Sequence, residues 1–308
     1  MALREYLTTE VGEDWVDGLI TRREAIRRLA LLGMSVGSAS ALLAACAAET
    51  GPSRGASPAG ATTAASGPPG PAGSPPRPSV APVPGGDAIT FAGPRGELQG
   101  FFAPAADPGG AILVIHENRG LTDHIRSVAT RLAGDGFAAL AIDLLSEEGG
   151  TAALGDPANV PAALAGASTE RLVADMRAGF DELERRVPGA ALAITGFCFG
   201  GGMVWTLLDA GEPRLAAAIP FYGPAPANPD FSGERAAVLG IYAEQDGRVN
   251  ASRERAAAAL AAAGLTHEMK TYPGVDHAFF NDTGGRYDPT QAATAYADVL
   301  AWLRSHMG

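Results

Sequence analysis

The pentapeptide Gly196-Phe197-Cys198-Phe199-Gly200 constrains this chain more than any other stretch of it. An apolar, strand-like run (residues 190–195) leads in, and a run of helical character (residues 203–208) leads out. A strand that reverses at once into a helix forces its apex residue into a strained backbone conformation. Small residues two places before and after the apex let strand and helix approach, which accounts for Gly196 and Gly200. The apex side chain, Cys198, then projects above a sheet at a helix N-terminus, where the helix dipole favours a thiolate. The pattern is that of a nucleophile elbow with sulfur in place of oxygen. A glycine-rich turn around a buried cysteine is the plainer alternative.

The surrounding sequence alternates strands and helices. Residues 88–92 and 98–103 read as a hairpin across Gly93-Pro94-Arg95-Gly96, and Ala111–Ile115 as a strand buried on both faces. A helix over 123–132, a strand over 137–142 and a helix over 170–187 precede the elbow. Strands at Leu215–Phe221, 237–242 and His267–Tyr272 follow it, with helices over 252–263 and 291–307. Such alternation predicts an α/β fold, a mainly parallel sheet with helices on both faces. Ligands of these sheets gather at the carboxyl ends of the strands, so chemistry belongs in the loops there.

A cysteine nucleophile needs a base, and the base needs a carboxylate to orient it. Asp246 lies just past the strand ending at Tyr242, and His277 just past the one ending at Tyr272. Glu244, Asp276 and Asp282 are rival carboxylates. His116, His124, His267 and His306 are less well placed as the base. A second signal, His116-Glu117-Asn118-Arg119-Gly120, follows the first buried strand. Its backbone N–H groups belong opposite that of Phe199, as the second half of an oxyanion hole. A carboxylate there is unfavourable unless it accepts a hydrogen bond, and the Cys198 thiol is the donor expected for Glu117. No His-Glu-x-x-His or other ligand spacing is present, so neither a metal nor another cofactor is expected.

These residues resemble the dienelactone hydrolase (carboxymethylenebutenolidase) family, over residues 87–308. The motifs that carry the likeness are Glu117 in its loop, Asp143-Leu144, Gly196-Phe197-Cys198-Phe199-Gly200-Gly201, Asp246 and His277-Ala278-Phe279. The resemblance implies an α/β-hydrolase fold and hydrolysis of a lactone or activated carboxylic ester by a Cys198-His277-Asp246 triad. It further implies that Glu117 controls the protonation of the thiol, and that the backbone N–H groups of Asn118 and Phe199 form the oxyanion hole. The order Cys198, Asp246, His277 along the chain is the one this fold uses. The family grips a substrate carboxylate with arginine a few residues after the histidine, where Asn281 stands here. It also has Arg and Tyr after Asp143-Leu144, and residues 145–170 hold neither. Arg119 and Arg286 are the candidate substitutes, with Phe279 against the substrate. Phe197, Phe199, Phe221, Tyr222 and Phe280 either line an apolar pocket or fill the core. The partner is then a small ester or lactone. Alternatives are a broad carboxylesterase or thioesterase, or a tethered binding module without catalysis.

Residues 1–45 read as an export signal. Arg22-Arg23 suggests the twin-arginine route, and the mildly apolar stretch over 29–45 ends in Leu43-Ala44-Ala45-Cys46. That resembles a lipoprotein cleavage site with Cys46 as the lipidated residue. The expected location is the cell envelope, either tethered to the membrane by this anchor or released outside the cytoplasm. Residues 46–86 are dominated by Pro, Gly, Ala, Ser and Thr, too little apolar surface to offset chain entropy, and predict a disordered tether. Of the two cysteines each has its own role, leaving no structural disulfide. A net charge of -11 argues against a nucleic-acid partner.

Overall fold

The computed structural model describes residues 3–16, 18–49 and 85–307. The proposed tether lies almost wholly outside the described residues. Three helices come first: α1 (Leu3–Val16), α2 (Arg22–Leu31) and α3 (Val36–Glu49). Then follow β1 (Asp87–Gly93), β2 (Gly96–Ala103), β3 (Ala111–Ile115), α4 (Asp123–Gly134) and β4 (Ala138–Asp143). Three short 3₁₀ turns and α5 (Val160–Gly166) lead to α6 (Thr169–Arg186), β5 (Leu192–Phe197) and α7 (Phe199–Asp209). The chain closes with β6 (Leu215–Phe221), β7 (Ala237–Ala243), α8 (Gly247–Asn250), α9 (Arg253–Ala262), β8 (His267–Tyr272) and α10 (Pro289–His306).

The eight strands form one sheet in the order β1-β2-β4-β3-β5-β6-β7-β8. The hairpin β1–β2 joins antiparallel to β4, and every later pairing is parallel. Successive strand side chains point to opposite faces, so a strand buried at every position is covered on both. That holds for β3, β4, β5 and β7, the Val-, Ile-, Leu- and Ala-rich centre of the sheet. The last strand, β8, lies at the sheet's end, half exposed, and carries Glu268 and Lys270 as edge strands commonly do.

The first 49 residues do more than lead the chain. Tyr6, Leu7 and Val11 of α1, Ala25 and Leu29 of α2, and Leu43 of α3 are buried in a cluster continuous with the domain core. Burying Leu7 and Val11 alone is worth about 3–6 kcal/mol against leaving them in water. Arg27 reaches Asp156 at 2.6 Å, while Arg22 and Arg23 stay exposed. The apolar stretch is interrupted at Gly33 (φ +88), between α2 and α3. No helix among the described residues is long and apolar enough to cross a membrane.

Leu113 sits at the middle of β3, fully buried and paired with Leu140 and Ile194 on its two neighbours. Leu113→Ala is expected to lower the unfolding free energy by about 2–5 kcal/mol, read from the urea midpoint at unchanged m-value.

Candidate active site

Cys198 caps the N-terminus of α7 directly after β5, with φ 58 and ψ -116. A Cβ on Gly196 would run into the carbonyl of Gly200, and one on Gly200 would meet that of Ile115 at 2.5 Å. The elbow thus exists because backbone touches backbone on both sides of the cysteine. The Cys198 N–H is held by the Phe221 carbonyl at 3.1 Å. The side chain points to the carboxyl end of the sheet, as the sequence predicts, yet is almost wholly buried.

His277 and Asp246 arrive from the loops after β8 and β7. His277 Nδ1 lies 2.6 Å from Asp246 Oδ2, and Asp246 Oδ1 accepts from the Val249 N–H, fixing the carboxylate as the cap of α8. With Nδ1 on Asp246, Nε2 faces the thiol: His277 Nε2, Cys198 Sγ and a Glu10 carboxylate oxygen all lie within 4.8 Å of one another. That trio is the only group among the described residues with the spacing of a metal site. The rival carboxylates are engaged elsewhere. Glu244 accepts from the Gly274 N–H, Asp276 from the His277 N–H, and Asp282 binds His124. His116 is structural: its Nδ1 donates to the Glu117 carbonyl and its Nε2 accepts from the Leu144 N–H. Burial holds its pKa below the usual histidine value.

A cavity of about 220 Å³ opens over Cys198, lined by Glu117, Asn118, Arg119, His277 and Arg286, among others. Asn118 lines this cavity beside Cys198. Phe199 is the first residue of α7, where backbone N–H groups have no helical acceptor. Two sequence expectations need correction. Glu117 makes no hydrogen bond with Cys198: its Oε2 accepts from Asn281 Nδ2 at 2.6 Å, and its Oε1, fully buried, has no hydrogen-bond partner. Asn281 thus acts as a clamp on Glu117. Phe279 does not face the cavity. Its ring is fully buried against Tyr222 and Tyr272, at 5.8 and 5.4 Å between centroids. Phe197, Phe221 and Phe280 likewise pack against one another as core.

The residues closest to the thiol were not foreseen, because they lie on α1. The Tyr6 hydroxyl is 3.2 Å from Cys198 Sγ, and Glu10 Oε2 is 3.6 Å from it. Glu10 Oε1 lies 3.5 Å from His277 Nε2 and is paired with Arg248, which also donates to Glu13 at 2.9 Å. These charges set the protonation of the site. Burial pushes the Cys198 thiol up, and the Glu10 carboxylate adds to it against the opposing pull of His277. Burial opposes charge on His277, but Glu10 and Asp246 outweigh it and hold the imidazole well above its ordinary value. Burial likewise opposes charge on Glu10 and Asp246. Both are nonetheless held below the usual carboxylate values by His277 and Arg248.

The model of the Dienelactone hydrolase family matches residues 98–307. The chain belongs to the dienelactone hydrolase family. A protein of Salmonella typhi named "Putative carboxymethylenebutenolidase" is 33% identical over 261 residues, covering 77% of this chain and 95% of its own. A similarly named protein of Escherichia coli K12 is 30% identical over 64% of this chain and 77% of its own. Among solved structures, the "Putative Dienelactone Hydrolase from Klebsiella pneumoniae" superposes with a TM-score of 0.61 at 28% identity, over 70% of this chain and 97% of its own. The family match begins at β2 and leaves out α1–α3. This dienelactone hydrolase relative is a hydrolase with the family's α/β-hydrolase fold, and its first three helices lie outside the matched region.

Folded His277 keeps its proton beyond the pH at which an unfolded histidine loses it. Its charge therefore contributes stability that is complete below about pH 6.5 and is lost as pH rises through the raised folded value. An NMR titration of the ring nitrogens is expected to show a midpoint above 6.5 in the intact chain, and a lower one in Glu10→Gln. A midpoint at or below 6.5 in the intact chain would contradict this arrangement of charge.

Proposed function

We propose that this hydrolase cleaves a lactone or an activated carboxylic ester, with Cys198 as nucleophile, His277 as general base and Asp246 as its orienting carboxylate. The observation that carries the reading is the 2.6 Å Asp246–His277 contact, with the free face of the imidazole turned to a cysteine at a nucleophile elbow. With substrate in the cleft, His277 Nε2 takes the thiol proton and the sulfur bonds to the carbonyl carbon. The oxyanion is received by the N–H groups of Asn118 and Phe199, each such donor typically worth about 3–4 kcal/mol. Collapse breaks the carbon–oxygen bond, and the leaving oxygen takes the proton from His277. Water, deprotonated by the same imidazole, attacks the thioester, and the carboxylic acid departs with the thiol restored. Thiolate leaves such an intermediate more readily than an amine does, which favours esters over amides.

Arg119 and Arg286 at the cavity are the groups suited to a polar or anionic substrate end. Asn281, engaged by Glu117 where the family's arginine is expected, favours a broader range of esters and lactones over dienelactone itself. The exposed Arg22-Arg23 pair and the residues before Cys46 support export by the twin-arginine route, with Cys46 as the lipid anchor.

On a panel of p-nitrophenyl esters, lactones and acyl thioesters, Cys198→Ala is expected to abolish turnover. Asp246→Asn is expected to lower kcat by about 10³–10⁴-fold. Turnover surviving in Cys198→Ala would reject the nucleophile, and lactones inert beside rapid ester cleavage would reject the lactonase. Intact mass of the protein recovered from the envelope is expected to show an N-terminus at Cys46 carrying lipid. An N-terminus at Met1 or beyond Cys46 would refute the anchor.

A further inference from the structure

The space above a catalytic cysteine in this fold should receive substrate, and here α1 fills it. The Glu10 carboxylate lies between the nucleophile and its base, 3.6 Å from Cys198 Sγ and 3.5 Å from His277 Nε2. This is where the carboxyl group of an ester, or of the product acid, has to lie. Tyr6 closes the other side of the sulfur at 3.2 Å. Charge fixes the helix there: Arg248 pairs with both Glu10 and Glu13 and lies 4.7 Å over the Tyr6 ring, and Arg286 approaches Asp14 at 3.6 Å.

The helix also divides the cleft. On one side, Glu10 and Asp14 line the cavity of about 220 Å³ over the cysteine. On the other, Leu3 and Tyr6 line a second cavity of about 260 Å³, whose far wall is Phe199, Met203 and Pro224. Phe199, on the wall of the second cavity, directly follows Cys198, on the wall of the first, and residues of α1 line both.

We propose that α1 is an autoinhibitory strap, docked over Cys198 as an internal stand-in for product, and that the hydrolase acts only when the strap lifts. The inference concerns regulation of the site and rests on the function proposed above. Three features support it. The strap brings no strand to the sheet and lies outside the region matched by the family, so the catalytic core is complete without it. Its anion favours a protonated imidazole beside a protonated thiol, the reverse of what attack requires. It also precedes Cys46, so the processing proposed for export would remove it and release the enzyme in the compartment where it works.

The test uses the full chain in three forms: unaltered, Glu10→Ala, and Leu7→Glu, which places a charge at a fully buried position of the docking face. Two rates are read, carbamidomethylation of Cys198 by iodoacetamide (located by peptide mass) and hydrolysis of p-nitrophenyl esters. If α1 closes the site, both rates scale with the open fraction, and each variant is expected to gain about tenfold or more. A synthetic peptide of residues 1–20 added to Leu7→Glu should reverse the gain, and the same peptide with Glu10→Ala should do so poorly. Unchanged alkylation in both variants overturns the strap, as does a fall in hydrolysis, which would make α1 a working wall of the site. A gain in alkylation with no ester cleaved in any form upholds the strap and rejects the hydrolytic reading instead. Should Leu7→Glu fail to fold, Glu10→Ala and peptide competition decide the matter.

Discussion

Backbone-to-backbone contact at the start of α7 is the constraint from which the rest of this structure follows. Gly196 and Gly200 bring β5, α7 and the end of β3 together, and a Cβ at Gly201 would strike the Phe221 carbonyl at the end of β6. Three neighbouring parallel strands are thus locked to one helix terminus within the width of a peptide group. That lock fixes Cys198, its amide held by Phe221, relative to the loops that carry His277 and Asp246. The chemistry therefore depends on what these positions lack, namely side chains.

The second organising element is a buried group of charges. Glu10, Asp246, His277 and Arg248 are all nearly inaccessible to water, an arrangement that costs several kcal/mol per ion unless every charge has a partner. Each has one: Asp246 with His277, and Glu10 with both His277 and Arg248. Asp246 and His277 belong to the loops after β7 and β8, Arg248 to α8, and Glu10 to the N-terminal helix. The electrostatics of the site consequently depends on a part of the chain that contributes nothing to the sheet.

Local signals in the sequence carried most of the fold. The five apolar residues of β3 and the glycine bracket of the elbow need only nearby residues to be understood, and strand Leu215–Phe221 lies where its apolar run places it. The site was legible where loop position decided it, as for Cys198, Asp246 and His277. It was not where a distant partner decided it. Glu117 binds Asn281, 164 positions away, and Phe279 turns into the core next to Ala278, whose φ is 62. The least legible part was α1, because its partner, Cys198, lies about 190 residues further along the chain. A signal was present: Leu3, Leu7 and Val11 beside Tyr6, Glu10 and Asp14 recur at helical spacing and form one face. What that face meets, 188 residues further along, is not written in the spacing.

Among the described residues, the non-glycine residues with positive φ are Cys198, Tyr222 and Ala278. All three border the candidate site: one bears the sulfur, one sets its ring against His277 at 5.1 Å between centroids, and one follows that histidine in the chain. Conformations of this kind cost about 1–3 kcal/mol apiece and persist only where the surroundings leave no other choice. Among the described residues, backbone strain of this kind is therefore confined to the surroundings of Cys198 and His277. Evolution toward greater heat tolerance would find its easiest gains by softening these three backbone positions, and each gain would loosen the aim of the imidazole or the sulfur.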